Sequence, residues 1–171
     1  MKKPEAVRMK RRYLREKESR RLLGELVSKI AVPSEFTELK LPIELAEASG
    51  YEVFFISGKP AFARSKRRLF PTLTNEWLIG RLPKAVVDMG AVAYVCNGAD
   101  VMAPGIIRFE GTFHREDVVV VVDERHGRPL AVSFALFEVA EAKKIKKGKI
   151  LENIHYVGDE LWTLIKGQSA K

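Results

Sequence analysis

The sequence predicts an α+β protein, in which a small N-terminal α/β part precedes a small barrel of mostly antiparallel strands with short helices. Apolar residues recur at approximately helical spacing over residues 5–30, which predicts one long helix. A hairpin is predicted by the extended segments Tyr51–Ser57 and Ala61–Arg64, which flank a Gly-Lys-Pro turn. From Ala85 onward, short apolar runs alternate with turn residues, a pattern typical of a small barrel.

The remaining elements are predicted from shorter signals. Residues 35–49 are ambiguous, although LPIELAEAS followed by Gly50 predicts a short helix with a glycine stop. The segment TNEWLIGRL predicts a further helix, for which Thr72 is the expected N-cap. Short helices are also predicted at Asp100–Ala103 and Val139–Ile145. The predicted strands of the C-terminal half are Ala91–Cys96, Ile106–Phe109, Val118–Asp123, Leu130–Phe134, Lys149–Ile154 and Leu161–Ile165.

The basic residues are concentrated in the N-terminal half of the chain. Residues 1–83 contain 18 Lys and Arg against 10 Asp and Glu, whereas residues 84–171 contain 12 against 12. Pattern and charge both change near Pro83, so we expect a basic N-terminal domain (helix, hairpin, helix) over 1–83, a second domain over 84–165 and a flexible tail over 166–171. The asymmetry favours a polyanionic partner, either nucleic acid or an anionic surface, although solubility alone also explains excess charge.

Several classes of protein are not supported by the composition. No uninterrupted apolar run, Val118–Val122 included, approaches the roughly 20 residues of a membrane helix. The single cysteine, Cys96, excludes an internal disulfide and a multi-cysteine metal site, and a cytoplasmic location is expected. His114, His126 and His155 are isolated, and no phosphate-binding or dinucleotide-binding fingerprint occurs. We therefore expect a noncatalytic protein without a metal or another cofactor.

One segment, AVAYVCNGADVMAPGIIRF, carries most of the information about a binding site. It is interpreted as a strand that leads through Asn97 and Gly98 into a helical turn at Asp100, which ends at Pro104. Free backbone N–H groups at the start of that turn would make a seat for a phosphate. A turn in which Asn97 or Asp100 merely caps the helix explains the same spacing equally well.

The motifs of the C-terminal half resemble those of a PUA domain, the RNA-binding module of pseudouridine synthases and archaeosine transglycosylases. NGADVMAPGI, VVVVV, RPLAVSFALF and KGKILENIHYVGDELW occur in the order of that domain over approximately residues 84–163. The ending ENIHYVGDELW, together with LFPTL ahead of the domain, resembles the malignant T-cell amplified sequence protein family, its archaeal counterparts and the matching part of ligatin. The fold implied is a small pre-PUA domain followed by a PUA pseudobarrel.

This resemblance implies a role in translation. RNA is the implied partner, either the acceptor end of tRNA or small-subunit rRNA, in processes such as reinitiation. A SUI1-type protein resembling density-regulated protein is the implied protein partner. Carried over position by position, the implied RNA-binding surface consists of Asn97, Gly98, Ala99, Asp100, Met102, Pro104, Gly105 and Ile106, with Asn153, His155 and Tyr156 at its edge.

Two clusters of basic residues are candidates for contacts to RNA phosphates, and a solvated surface is the alternative for both. The first cluster, on the predicted N-terminal helix, consists of Lys10, Arg11, Arg12, Arg15, Arg20 and Arg21. The second follows the hairpin and consists of Arg64, Lys66, Arg67 and Arg68. The leading hypothesis is thus a noncatalytic RNA-binding protein of the translation machinery. The alternatives are a protein-interaction adaptor and an RNA-binding accessory subunit of an RNA-modification enzyme.

Overall fold

The computed structural model describes residues 8–38 and 40–168, which form two compact units. The N-terminal unit comprises the residues up to Asn75 together with those from Glu160 onward, and the barrel unit comprises Glu76–Asp159. The two units thus divide after Asn75, whereas the sequence-based boundary is at Pro83. Of the flexible tail predicted at 166–171, residues 169–171 lie outside the described residues.

The N-terminal unit is built on an antiparallel sheet in which the strands follow one another in chain order. The predicted hairpin at 51–64 is confirmed. Each of the last three connections is a two-residue turn, which is the commonest link between antiparallel strands. The strands are β1 (Arg11–Tyr13), β2 (Ile43–Ala48), β3 (Tyr51–Ile56), β4 (Lys59–Ser65) and β5 (Arg68–Pro71).

The long helix α1 spans Glu16–Ile30 and buries one face that carries Leu22, Leu23, Leu26 and Ile30. The Glu18 carboxylate accepts a hydrogen bond from the backbone N–H of Arg15 at 2.8 Å, which satisfies one donor at the helix start. The helix predicted over 5–30 is therefore wrong at its beginning, because residues 11–13 form β1 and pair with β2. Residues 5–7 of that prediction lie outside the described residues.

The helix predicted for LPIELAEAS is wrong, because this segment contains the strand β2. Leu, Glu and Ala favour a helix intrinsically, yet Ile43 and Leu45 alternate with the less buried Glu44. Pairing with β3 over its whole length outweighs the local preference. Ser49 and Gly50, with φ of 51° and 80°, form the turn between these strands.

The barrel unit contains a curled mixed sheet in the order β7-β11-β10-β9-β6-β8. Strands β6 and β9 are parallel and every other neighbouring pair is antiparallel. The α+β prediction with a small N-terminal part and a pseudobarrel is confirmed. The strands are β6 (Lys84–Val87), β7 (Val101–Met102), β8 (Ile106–Glu110), β9 (Val118–Asp123), β10 (Pro129–Ala135) and β11 (Lys149–Tyr156).

Strand β9 supplies the centre of the barrel core. All its residues are buried, and its five consecutive valines fit a strand that is covered on both faces. Val119 and Val121 pack in one apolar cluster with residues from β6, β10 and β11 and with Val95 from the helix that follows β6. The core therefore fixes the position of that helix, after which the candidate site begins.

The helices of the barrel unit are short, and two predicted elements next to them are wrong. The helices of this unit are α2 (Glu76–Ile79), α3 (Met89–Val95) and α4 (Val139–Ala142). Ala91–Cys96, predicted as a strand, belongs mostly to α3, because the Asp88 side chain caps the helix by accepting from Ala91 N–H at 2.9 Å. Asp100–Ala103, predicted as a helix, instead contains β7.

Two further predictions concern the segments on either side of the barrel. Leu161–Ile165, predicted as a strand, lies in helix α5 (Glu160–Lys166) of the N-terminal unit, where Leu161 and Ile165 are buried at helical spacing. Thr72 is not an N-cap, because its hydroxyl is buried and donates to the carbonyl oxygen of Pro60 at 3.0 Å. The adjacent helix α2 begins only at Glu76.

Candidate nucleic-acid interface

A tight turn joins α3 to β7 and forms the centre of the candidate site. Gly98 has a φ of +89°, a conformation that L residues rarely adopt. A Cβ atom at this position would lie 2.9 Å from Cε1 of Tyr156 on β11. Gly98 is therefore required both by the backbone conformation and by the close approach of the Tyr156 ring.

Asn153 on β11 stabilises this turn through hydrogen bonds. Its side-chain amide donates to the carbonyl oxygens of Val95 and Ala99, both at 3.0 Å. Its backbone N–H donates to Oδ1 of Asp100 at 2.8 Å. The side-chain Oδ1 of Asn153 is buried and has no hydrogen-bond partner among the described residues. Asn153 thus acts as a positioning residue, since its backbone and side-chain N–H groups donate to the turn and to the end of α3.

The two alternatives for the segment at Asp100, a phosphate seat and a simple helix cap, are both wrong, because no helix begins there. The chain passes from the turn directly into β7, and the Asp100 carboxylate is already engaged. Besides the Asn153 N–H, it binds Nζ of Lys149 at 2.7 Å. This hydrogen bond raises the pKa of Lys149. The Asp100 carboxylate therefore stabilises the turn and carries a negative charge where a phosphate would need a donor.

His155 and Tyr156 have different roles, although both were predicted at the edge of the RNA surface. The His155 side chain is fully buried, and its Nδ1 lies 2.8 Å from Oδ2 of Asp159. The same Asp159 oxygen accepts the backbone N–H of Tyr156 at 2.9 Å. The buried pair anchors the end of β11, and the half-buried Tyr156 ring reaches the surface beside Gly98.

The exposed part of the site is apolar and aromatic. Met102 is 47% exposed, and Pro104 beside it is exposed as well. Gly105 allows close packing on α3, because a Cβ there would lie 3.1 Å from Cβ of Ala91. Of the other predicted residues, the structure leaves Asn97 and Ala99 exposed and Ile106 half-buried. The turn therefore presents a small surface with few charges.

Tyr94 was missed by the sequence analysis, although it is 71% exposed and lies on α3 directly before the turn. As part of a strand, Tyr94 and Val95 would simply point to opposite faces. In α3, Val95 enters the barrel core and Tyr94 projects into solvent. An exposed aromatic ring beside a glycine turn is a suitable platform for an unstacked nucleobase.

Basic side chains are presented by the N-terminal unit at the turn between β4 and β5. Ser65 pairs with Arg68, so Lys66 and Arg67 alone form the turn, with φ of 49° and 63°. The corresponding turns of the two preceding hairpins end in glycine, at Gly50 and Gly58. Both basic residues are exposed, and they occupy left-handed conformations that cost L residues free energy.

The other predicted cations differ in how far they are engaged. Arg64 binds Glu25 on α1 at 2.6 Å and Glu52 on β3 at 3.0 Å, so it joins the helix to the sheet. Arg12 binds both carboxylate oxygens of Glu18, whose pKa these bonds help to lower to about 2. Arg68 is half-buried at the start of β5. The side chains of Lys10 and Arg15 are exposed.

Arg11 is the most enclosed cation of the first cluster. Its guanidinium lies 3.8 Å from the centroid of the Phe55 ring and within 3.9 Å of the Glu44 carboxylate. Near its neighbour Arg12, a groove of about 530 Å³ is lined by further cations, of which Lys17 was not predicted. The cations of the groove are Arg12, Arg15, Lys17, Arg21 and Arg64.

Cys96 is the only cysteine of the chain, and it is partly buried. Burial raises the pKa of the Cys96 thiol, which disfavours the nucleophilic thiolate. Across residues 8–38 and 40–168, no group of three or more His, Cys, Asp or Glu side chains is arranged to hold a metal ion. No helix in the same ranges is long and apolar enough to span a membrane.

Comparison with protein families agrees with the fold. The model of the PUA domain matches residues 83–157, and that of a domain of unknown function, DUF1947, matches residues 10–75. The pseudobarrel with its glycine turn is thus a PUA domain, and the chain is a PUA-domain protein with a DUF1947 region ahead of that domain.

The relatives define the family more narrowly. Malignant T-cell-amplified sequence 2 of Mus musculus is 31% identical over 72% of this chain and 71% of its own length. An uncharacterized protein of Methanocaldococcus jannaschii is 37% identical over 90% of this chain and 95% of its own length. Translation machinery-associated protein 20 of Saccharomyces cerevisiae is 28% identical over 77% of each chain. The chain belongs to the malignant T-cell-amplified sequence family.

Two solved structures share the architecture across most of the chain. A PUA-domain protein of Aeropyrum pernix, determined as a tartrate complex, has a TM-score of 0.79 and 28% identity, covering 93% of this chain and 92% of its own. A hypothetical protein of Pyrococcus horikoshii has a TM-score of 0.76 and 30% identity, covering 91% and 99%. The combination of both units is therefore shared with these two proteins.

Proposed function

We propose that this chain is a noncatalytic RNA-binding protein of the translation machinery, which binds tRNA, small-subunit rRNA or both. The observation that carries the proposal is the PUA domain in a chain whose relatives include a translation machinery-associated protein. In this proposal the barrel unit recognises a shaped RNA feature, and the basic N-terminal unit contributes contacts to phosphates.

The surface around Gly98 is suited to a single-stranded RNA end. Tyr94 offers an exposed ring for stacking, and Met102 and Pro104 add apolar contact area. The Gly98 backbone lies close beneath the Tyr156 ring, and Asn153 keeps the turn in place. The acceptor end of tRNA carries unpaired bases of this kind, which is why we propose it as the RNA feature bound here.

The N-terminal unit is suited to contacts that do not depend on RNA sequence. Lys66 and Arg67 project from the hairpin turn, and Lys10 and Arg15 are exposed on the other basic cluster. Each phosphate that such a cation neutralises releases counterions, so the affinity falls as salt concentration rises. We propose these four as phosphate contacts, and we assign Arg11, Arg12 and Arg64 chiefly to internal ion pairs.

Binding of tRNA and of small ribosomal subunits across a salt series tests this function. One tRNA should carry an intact 3′ end and a matched tRNA should lack its unpaired terminal nucleotides. We expect the intact tRNA to bind more tightly, with both tRNAs sharing the same salt slope, because trimming removes stacking rather than phosphate contacts to the N-terminal unit. Absence of binding to tRNA and to subunits near physiological salt would refute the proposal.

We further propose that a protein partner takes part, as the resemblance to partners of density-regulated protein implies. Copurification from cells after nuclease treatment separates this adaptor role from simple RNA binding. A stoichiometric partner that survives nuclease supports it. Recovery with an RNA-modification enzyme instead of ribosomes would favour the accessory-subunit alternative.

A further inference from the structure

A groove in the barrel unit adjoins the candidate RNA site, with which it shares Pro104 and Ile106. It has a volume of about 510 Å³ and runs between strand β8 on one side and α4 with the start of β11 on the other. Its lining combines the aliphatic residues Ile106, Ile107 and Ile145, above the buried Ala142 and Ile150, with the cations Arg108, Lys143 and Lys146. Ile107 is 48% exposed, which is unusual for a large apolar side chain in a strand.

Strand β8 forms one edge of the barrel sheet, and among the described residues only β6 pairs with it. Val86 is opposite Arg108 and Val87 is opposite Ile106, so Ile107 is an additional residue in β8. This bulge directs the Ile107 side chain outward. The other edge of β8 therefore offers unpaired backbone groups beside an apolar surface, the combination to which an extended peptide adds as a further strand.

The charge at the groove is positive. Lys143 and Lys146 line it, and Lys144 and Lys147 lie next to them in the sequence. Within residues 8–38 and 40–168, no ion pair involves any of these four lysines. Arg108, which also lines the groove, is paired with Glu110 at 3.2 Å. Acidic side chains that flank apolar ones would complement this rim.

We propose that this groove docks a short, extended and acidic peptide segment of a protein partner, which pairs with the free edge of β8. Alternate aliphatic side chains of the peptide contact Ile107 and Ile145, and its carboxylates approach Lys143 and Lys146. Single-stranded RNA fits the lining less well. Phe109, the one aromatic residue there, is half-buried and packs edge-on against Phe113 at a centroid distance of 5.4 Å, so no open ring is offered to a base.

A set of end-capped heptapeptides in which aliphatic residues alternate with Asp or Glu provides the probe. The isotope-labelled full-length chain is titrated with each peptide and, separately, with an oligouridine of similar length. We expect the backbone amide signals of residues 106–110 to shift and their hydrogen exchange to slow with the acidic peptides. Peptides with Lys in place of each acid should bind at least about tenfold more weakly, because they meet like charges.

Two variants locate the site without disturbing the core. Ile107→Asp and the pair Lys143→Glu with Lys146→Glu change exposed residues, and each should weaken peptide binding by about tenfold or more. The matched control, Arg125→Glu with Arg128→Glu, reverses two exposed charges in the β9–β10 turn and should leave binding unchanged.

Three results would overturn the proposal. The first is that no peptide of the set shifts the β8 amides at millimolar concentration. The second is that oligouridine shifts them and competes with the peptides, which would assign the groove to RNA. The third is that β8 becomes protected only as the protein concentration rises, which would assign this edge to a second copy of the chain.

Discussion

The turn between β4 and β5 offers a substitution that should raise stability and lower RNA affinity together. Replacing Lys66 and Arg67 by Asn and Gly introduces residues that favour two successive positive φ angles. The left-handed conformation costs an L residue roughly 1–2 kcal/mol, and the added freedom of glycine in the unfolded chain offsets roughly 0.5–1 kcal/mol. We therefore expect Lys66→Asn with Arg67→Gly to increase the free energy of unfolding by about 1 kcal/mol.

The same double substitution removes two exposed cations. If both contact phosphates, the slope of log affinity against log salt should become shallower by about 1.4–1.8. With affinities that converge near 1 M salt, this corresponds to about 15- to 30-fold weaker binding near 0.15 M. The measurements are urea unfolding at low protein concentration and fluorescence anisotropy with tRNA over a range of salt concentrations.

Two matched variants separate charge from backbone conformation. Lys66→Gln with Arg67→Gln removes the charges but keeps L residues, so it should reproduce the loss of affinity and leave the unfolding free energy within about 0.5 kcal/mol. Ser57→Asn changes an uncharged turn of the same class and should leave RNA affinity unchanged. An unchanged salt slope in both charge-removing variants would refute the assignment of this turn to phosphates. Unchanged or lower stability of the Asn-Gly variant would refute the argument from strain.

Three further predictions concern the barrel unit. Tyr94→Ala should change the unfolding free energy by less than about 0.5 kcal/mol, because the side chain is exposed. The same substitution should weaken binding of a single-stranded RNA 3′ end by about 1–3 kcal/mol, as measured by fluorescence anisotropy. Unchanged affinity would exclude stacking on this ring. Asn153→Ala should lower the unfolding free energy by about 1–3 kcal/mol in urea titrations, because the carbonyl oxygens of Val95 and Ala99 both lose their side-chain donor. Backbone N–H groups of His126, Arg128 and Arg125 lower the pKa of Asp123, so its contribution to stability should be complete above its ordinary value of 3.8 and disappear as pH falls through the lowered value. Unfolding of Asp123→Asn should accordingly differ from that of the parent at pH 7 and converge with it in strong acid; a constant difference would contradict this.

The strands of the barrel could be predicted from sequence because their signal is local. Val118–Asp123 coincides with β9, since five consecutive valines favour an extended chain and are buried on both faces. The segments around Ile106, Leu130 and Lys149 were likewise placed in strands. Here intrinsic preference and tertiary packing agree, so the pattern alone was sufficient.

Prediction failed where a short apolar segment was compatible with both the helical and the strand periodicity. AVAYV is β-branched and aromatic, yet Asp88 begins a helix there by capping Ala91. That capping residue was the available signal, and it lies before the apolar run. In Leu161–Ile165 the signal was the four-residue spacing of two apolar residues, which one turn of helix brings to the same face.

The candidate site depended on tertiary contacts that sequence reasoning cannot supply. The segment NGAD identified the turn, but its orientation follows from Asn153, which lies more than fifty residues later and donates to the carbonyl oxygens of Ala99 in the turn and of Val95 at the end of α3. Lys149 engages the Asp100 carboxylate in the same way. The NGAD segment therefore located the candidate site in the sequence. Contacts from Asn153 and Lys149 on β11 determine which polar atoms of the turn remain accessible.

The distribution of free cations has a consequence for how RNA binding depends on salt. In the barrel unit, Lys149 beside the turn is paired with Asp100, so the RNA contacts that we propose there would consist of stacking and apolar packing. In the N-terminal unit, Lys66 and Arg67 are held outward by a turn conformation that glycine would adopt at lower free energy. Salt should therefore weaken the contribution of the hairpin turn and leave that of the Gly98 surface nearly unchanged. Discrimination between RNAs, if it resides in the Gly98 surface, then increases with salt concentration while total affinity falls.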